Sequence, residues 1–239
     1  LRIYSDAKEM LNETTREVFS RGHIVFDETL QGKKVDRRYE AKELLGYNFT
    51  LTRHGCHSIT PMLNWGKQQF KKPHLTLEYA REWFLATHLK DSKAEVAAHY
   101  KYYPEYWNQF GDWIYSYAER VGERLDAAIT LLRENKYRRG VVIPIYEPQD
   151  IPYLLRNRRV PCSLYYQPII RRQGPDDLLH LVYGMRSCDL VNWFPLDVCR
   201  AVFTKSYLAK HLNVKPGSLI MHITSLHAHR IDVPNDRQW

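Results

Sequence analysis

The stretch YGMRSCDLVNWFPLDVC, residues 183–199, decides how this chain is read. Its first part is apolar as far as Arg186, which fits a strand, and a polar turn follows through Asp189. Pro195 then opens a second apolar run, and a proline there suits the first turn of a helix. A cation, a hydroxyl, a thiol and two carboxylates thus share one otherwise apolar segment. Each must find a partner, because an unpaired buried polar group costs about 1–3 kcal/mol. From these residues alone two readings are open: a structural ion pair of Arg186 with Asp189 at a helix start, or a functional site.

Working outward, residues 194–212 read as an apolar helix. Lys215-Pro216-Gly217 turns into a last strand over 218–231, where His227 and His229, two apart, project to one side. Upstream, residues 158–170 and 178–184 read as strands, with RQGPDD (172–177) as the hairpin loop between them. The spacing of Ala7, Met10, Leu11, Val18 and Phe19 predicts a helix over 6–19 with Asp6 as its N-cap. Short and long strands follow at 23–26 and 42–52, separated by a polar, basic loop at 28–38; Gly46 in the second strand reads as a bulge. Helices are predicted over 75–88 and 120–133, and a strand over 141–146. Residues 100–117 are rich in aromatics and read as packing, or as the wall of a pocket for a flat ring. The pattern is that of one α+β domain, residues 1–239, with a mixed β-sheet flanked by helices.

Thirty-five Lys and Arg against 27 Asp and Glu leave a net charge of +8, which favours anionic partners. The charge lies in scattered pairs, such as Lys71-Lys72, Arg138-Arg139 and Arg171-Arg172, so a small anion suits it better than a nucleic-acid stripe. Arg138 and Arg139 sit at a helix-to-strand junction, and two guanidinium forks held on a scaffold suit phosphate. Four cysteines without CxxC spacing point to free thiols in a reducing compartment, the cytoplasm. His54, Cys56 and His57 lack a second ligand pair, so no metal is expected. No apolar run reaches membrane-spanning length, and no membrane partner is expected.

Four motifs agree in order: YRRGVV (137–142), PCSLYYQ (161–167), MRSCDLVNWFPLD (185–197) and KPGSLIMHITSLHAH (215–229). Together they resemble the thymidylate synthase superfamily over residues 33–232. The resemblance implies a thymidylate-synthase-like fold that dimerises through its sheet. Cys162 matches the nucleophile that adds to ring carbon 6 of a pyrimidine nucleotide, activated as a thiolate by nearby Arg186. Arg186 and Ser187 match the residues that grip the 5′-phosphate. Arg138 and Arg139 match a pair that reaches the phosphate site of the partner protomer in a homodimer. Gln167 matches a glutamine near the base, and Asp189 an aspartate that orders base and folate. His227 and His229 match a His-x-Tyr pair that bonds the ribose hydroxyl, with histidine in place of the tyrosine. Trp107 and Tyr115 resemble aromatics of the folate pocket and the nucleophile's surroundings. Glu82, with Glu78 as the alternative, is expected to relay protons through water. Arg37 is expected to be the loop arginine on the phosphate, with Lys33, Lys34 and Arg38 as rivals.

Departures from the family pattern carry the substrate expectation. Asp197 stands where thymidylate synthases have an asparagine facing the base, and Ser163 replaces the histidine after the nucleophile. An aspartate accepts from the 4-amino group of cytosine and, with a shared proton, also satisfies ring nitrogen 3. Both exchanges resemble those of phage-type deoxycytidylate hydroxymethylases. The expected activity is therefore transfer of a one-carbon unit from 5,10-methylenetetrahydrofolate to dCMP, with water completing 5-hydroxymethyl-dCMP and releasing tetrahydrofolate. The alternatives are a methyltransferase on dUMP or dCMP, a CMP hydroxymethylase, and a non-catalytic basic nucleic-acid-binding domain. As a simpler reading, Asp197 only caps its helix. Trp193 replaces a glycine usual in the family, on the folate side.

Overall fold

A computed structural model describes residues 2–26, 40–89, 92–102, 116–156 and 160–233. The strands are β1 (Arg2–Tyr4), β2 (His23–Phe26), β3 (Glu40–Leu51), β4 (Ile143–Pro144), β5 (Ser163–Gln173), β6 (Asp176–Asp189) and β7 (Lys215–His229). The helices are α1 (Ala7–Arg21), α2 (Ile59–Phe70), α3 (Leu77–Leu89), α4 (Ser92–Tyr102), α5 (Tyr117–Glu134), α6 (Ile151–Leu155) and α7 (Phe194–His211). The strands form one mixed sheet in the order β1-β3-β7-β6-β5-β4, with β2 also paired to β3.

The step that positions the site is the passage from β6 through α7 to β7. These two strands are parallel, with Asp189 opposite His227, so their carboxyl ends lie side by side at one end of the sheet. Parallel neighbours need a crossover, and α7 supplies it. That helix is buried on nearly every side, between the sheet and α2, α3 and α5. Its first ten residues are apolar on most faces, which suits burial. Asp197, Arg200, Thr204 and Lys205 are buried with it, while Ser206, Lys210 and His211 near its end are exposed. Along β7 the buried Leu219, Met221 and Ile223 alternate with the more exposed Ile220, His222 and Thr224. One face of the sheet therefore meets the helices, and the other is open on the single chain.

Most expected elements are present, with shifted edges. Asp6 caps α1 by accepting from the Glu9 N–H at 2.8 Å. The strand expected over 141–146 shrinks to Ile143–Pro144, and the one expected from 158 begins at Ser163. β6 runs longer than expected, because pairing with β7 carries it through Arg186 to Asp189. Gly46 takes a left-handed φ of 66°, but pairing continues in one register on both sides of it, from Leu45 with Ser225 to Tyr47 with Ile223. The glycine therefore serves backbone conformation, and no residue is inserted to make a bulge. Helices α2 and α4 were not anticipated. The loop at 28–38 and most of the aromatic stretch lie outside the described residues. No helix among the described residues is long and apolar enough to cross a membrane.

Candidate active site

Cys162 is half-buried where the chain enters β5, and its thiol is in no disulfide. Arg186 lies across from it on β6: its N–H bonds the Cys162 carbonyl at 2.9 Å, and its Nη2 is 3.8 Å from Sγ. The same guanidinium donates to the carbonyls of Pro161 at 2.9 Å and Val160 at 3.0 Å. Arg186 thus braces the segment that presents the thiol. The ion pair with Asp189 that the sequence left open does not form, because the arginine is engaged by these carbonyls. The Asp189 carboxylate instead holds its own turn, accepting from the N–H groups of Val191 at 2.9 Å and Asn192 at 3.1 Å and from Asn192 Nδ2 at 2.8 Å.

At the neighbouring end of β7 the rings of His227 and His229 stand 4.8 Å apart, centroid to centroid. The Leu190 N–H bonds the His227 carbonyl at 2.8 Å, which ties the turn after β6 to this strand. Burial pushes the Asp189 carboxyl up, but His229, His227 and the Asn192 donors outweigh it and hold the group below the usual aspartate range.

Behind Cys162 lies a second polar group that sequence reading half missed. Asp197, in the first turn of α7, is only 5% exposed and its Oδ1 accepts from Arg200 Nη2 at 2.8 Å. That nitrogen also donates to Ser163 Oγ at 2.7 Å and to the Tyr183 hydroxyl. Ser163 and Tyr183 bond each other at 2.5 Å. Tyr183 also donates to Asp197 Oδ1 at 3.5 Å, and the Cys188 thiol faces Oδ2 at 3.6 Å. Arg200 is 1% exposed, with its guanidinium carbon 4.5 Å from the Trp83 ring centre and 4.4 Å from that of Tyr117. Burial raises the Asp197 carboxyl to about 6 although the Arg200 cation pulls the other way. Asp197 had been singled out; Arg200 had not. Its signal was there, as a cation three residues on from Asp197 within the mostly apolar first half of α7.

The other expected residues scatter. Gln167 donates to the Arg139 carbonyl at 2.9 Å, which fixes the start of the Arg138-Arg139 segment to β5 while both arginines stand exposed. Ser187 pairs in register with Ser225 on β7. The Glu82 carboxylate, 38% exposed, takes Lys101 Nζ at 2.9 Å and the Tyr102 hydroxyl at 2.7 Å, and Glu78 takes the same hydroxyl at 2.9 Å. A different carboxylate is buried: Glu95 on α4 accepts from Ser116 Oγ at 2.8 Å and the Ala118 N–H at 3.0 Å, and burial raises its pKa. It was not anticipated, since it lies in an ordinary-looking polar helix. Cys56, weighed for zinc, receives a bond from buried Lys205 Nζ at 2.8 Å. Among the described residues no group of three or more His, Cys, Asp or Glu is placed to hold a metal ion. Arg37, with its rivals Lys33, Lys34 and Arg38, and Trp107 and Tyr115 lie outside the described residues.

A half-buried thiol braced by an arginine, at the end of the sheet where parallel strands stop, is the frame onto which the sequence motifs fall. Comparison with family models matches the chain to thymidylate synthase over residues 14–235. The chain belongs to the thymidylate synthase family. Comparison with curated proteins finds no match. The thymidylate synthase family transfers one-carbon groups to pyrimidine nucleotides with methylenetetrahydrofolate as donor, and this mixed α+β chain is a transferase of that kind.

Proposed function

We propose that this thymidylate synthase family member is a dCMP 5-hydroxymethylase. The observation that carries the reading is the carboxyl of Asp197, buried in the polar group behind Cys162 and raised to about 6. A carboxyl poised to accept from an amino group and to share a proton matches positions 3 and 4 of cytosine. A site built to bond a substrate group rejects the analogue lacking it by orders of magnitude.

In this reading Cys162 Sγ adds to ring carbon 6 and later leaves it, which makes carbon 5 nucleophilic in between. Arg186 serves twice. Its Nε and Nη2 hold the entry to β5, and its Nη1, without a protein partner among the described residues, faces the 5′-phosphate together with Ser187. His227 and His229 bond the ribose, and Gln167 borders the base. Asp189 orders the turn over 190–193, where the folate lies. The residues there fit a pterin: Asn192 Oδ1 is buried without a donor, and the half-buried Trp193 adds an aromatic face. Methylenetetrahydrofolate would supply the carbon joined to ring carbon 5. Trp107 and Tyr115 complete its pocket, Arg37 closes on the phosphate, and Glu82 moves protons. Water then adds to the exocyclic carbon of the pyrimidine, which the hydroxyls of Ser163 and Tyr183 support. The open sheet face takes a second copy, so that the exposed Arg138 and Arg139 reach the phosphate of the neighbouring protomer. The enzyme works in the cytoplasm.

The test is incubation with methylenetetrahydrofolate and dCMP, dUMP or CMP, with products weighed by mass spectrometry. The expected result is gain of one CH2O unit on dCMP with tetrahydrofolate as the second product. A methyl product with dihydrofolate refutes the hydroxymethylase reading, and turnover of dUMP in preference to dCMP refutes the cytosine reading. Salt-sensitive DNA binding with no nucleotide turnover refutes both.

A further inference from the structure

Asp197 does not stand alone, and its partner is unusual. Arg200 Nη2 carries two hydrogens but lies within bonding distance of three oxygens: Asp197 Oδ1, Ser163 Oγ and the Tyr183 hydroxyl. Its Nε and Nη1 have no hydrogen-bond partner among the described residues, and the plane is held instead against the rings of Trp83 and Tyr117. An arginine placed only for stability would use its fork on both carboxylate oxygens. Here the ring contacts fix the cation and one nitrogen touches one oxygen of the aspartate. Ser163, next to the nucleophile, is small enough to admit the guanidinium head at that spot.

The consequence is chemical. A free carboxyl can turn over and carry its proton on either oxygen, and a protonated one matches uracil as well as cytosine. A cation on Oδ1 breaks that symmetry: Oδ1 is kept an acceptor, and any proton is confined to Oδ2. We propose that Arg200 is a specificity-positioning residue, which fixes the orientation and the proton of Asp197 so that the site prefers an aminopyrimidine over an oxopyrimidine nucleotide. This deepens the proposed dCMP activity and rests on Asp197 as the reader of the base. Among the described residues, the ionisable groups that interact with Asp197 are Arg200 and Cys199 on α7, Tyr183, Cys188 and Asp189 on β6, Tyr166 on β5 and Tyr117 on α5. Of these, Arg200 alone is a cation.

The experiment measures kcat/KM for dCMP and dUMP, and its pH profile, in the wild type and in Arg200→Gln, Arg200→Lys, Asp197→Asn and the double variant Asp197→Asn/Arg200→Gln. Arg200→Gln is expected to lower the dCMP-to-dUMP preference at least about tenfold. It is also expected to move the acid limb of the profile to higher pH, since loss of the cation raises the Asp197 pKa. Arg200→Lys, which keeps the charge, is expected to retain part of the preference. In the double variant, which leaves no charge behind, the preference is expected to equal that of Asp197→Asn. Equal losses for both nucleotides with an unmoved acid limb would overturn the proposal. So would a double variant whose preference departs tenfold from Asp197→Asn, and this arm decides even where Arg200→Gln does not fold. The wild-type preference by itself tests the substrate reading; the change caused by Arg200 tests the positioning role, whichever base the wild type prefers.

Discussion

Two buried arginine–aspartate pairs lie among the described residues, and they are built differently. Arg120 on α5 meets Asp150 fork to fork, Nη1 to Oδ2 and Nη2 to Oδ1 at 2.7 Å each, and Nη1 adds the Ile145 carbonyl at 2.9 Å. The Glu147 N–H donates to Asp150 as well, at 2.8 Å. This pair fastens the loop after β4 to α5, and it is closed in that the arginine fork takes both Asp150 oxygens. Arg200 meets Asp197 through a single nitrogen, shares that nitrogen with two hydroxyls, and leaves two others facing rings. The closed pair spends its hydrogen bonds on structure. The open one keeps a carboxyl fixed yet unsaturated, bonded to the arginine that also bonds Ser163, one residue from Cys162.

Cys162→Ala breaks the open side most severely. Turnover is expected to vanish while dCMP binding, measured by calorimetry, stays within a few-fold; near-normal turnover refutes the nucleophile. Asp150→Ala tests the closed side. It leaves a buried arginine unpaired and is expected to cost about 3–5 kcal/mol in urea unfolding, with the base preference of the surviving enzyme unchanged. A shift in preference would mean that the two pairs do not divide structure from selection. Asp197→Asn is expected to shift the kcat/KM ratio from dCMP toward dUMP by about 100-fold; an unmoved ratio would show that the base is read elsewhere.

The smallest effect is the linkage of stability to pH. The folded Asp197 holds its proton up to about 6, whereas an unfolded aspartate releases it near 3.8. Between those values only the folded state binds the proton. The Asp197 contribution to stability therefore grows as pH falls from about 6 toward 4, with a slope of at most about 1.4 kcal/mol per pH unit, and is lost above 6. Asp189, held below the usual range, acts the opposite way, contributing stability that is lost as pH falls through its folded value. Urea midpoints of the wild type minus those of Asp197→Asn across this range give the sign. A flat difference would place the Asp197 carboxyl at an ordinary value.

The carboxyl-terminal half was readable because its elements follow local rules. The RQGPDD loop marked the hairpin of β5 and β6, Lys215-Pro216-Gly217 led into β7 and Pro195 opened α7. The motifs at 161–167 and 185–197 set Cys162, Arg186 and Asp197 together as an expected site. What escaped reading depended on tertiary packing. The continuation of β6 to Asp189 comes from pairing with β7, which no local pattern announces. Arg200 was passed over, and only packing shows its guanidinium buried between Trp83 and Tyr117. Glu95 and Glu82 illustrate the same limit: both occupy helices of mixed polarity, and only packing sets one inside and leaves the other beside Lys101.

The central claim, that Cys162 opens ring carbon 5 of a cytosine nucleotide selected by Asp197, is tested most directly by release of tritium from carbon 5. With methylenetetrahydrofolate present, the account predicts release from dCMP, far slower release from dUMP, and none from either with Cys162→Ala. Release from dUMP as fast as from dCMP would contradict it.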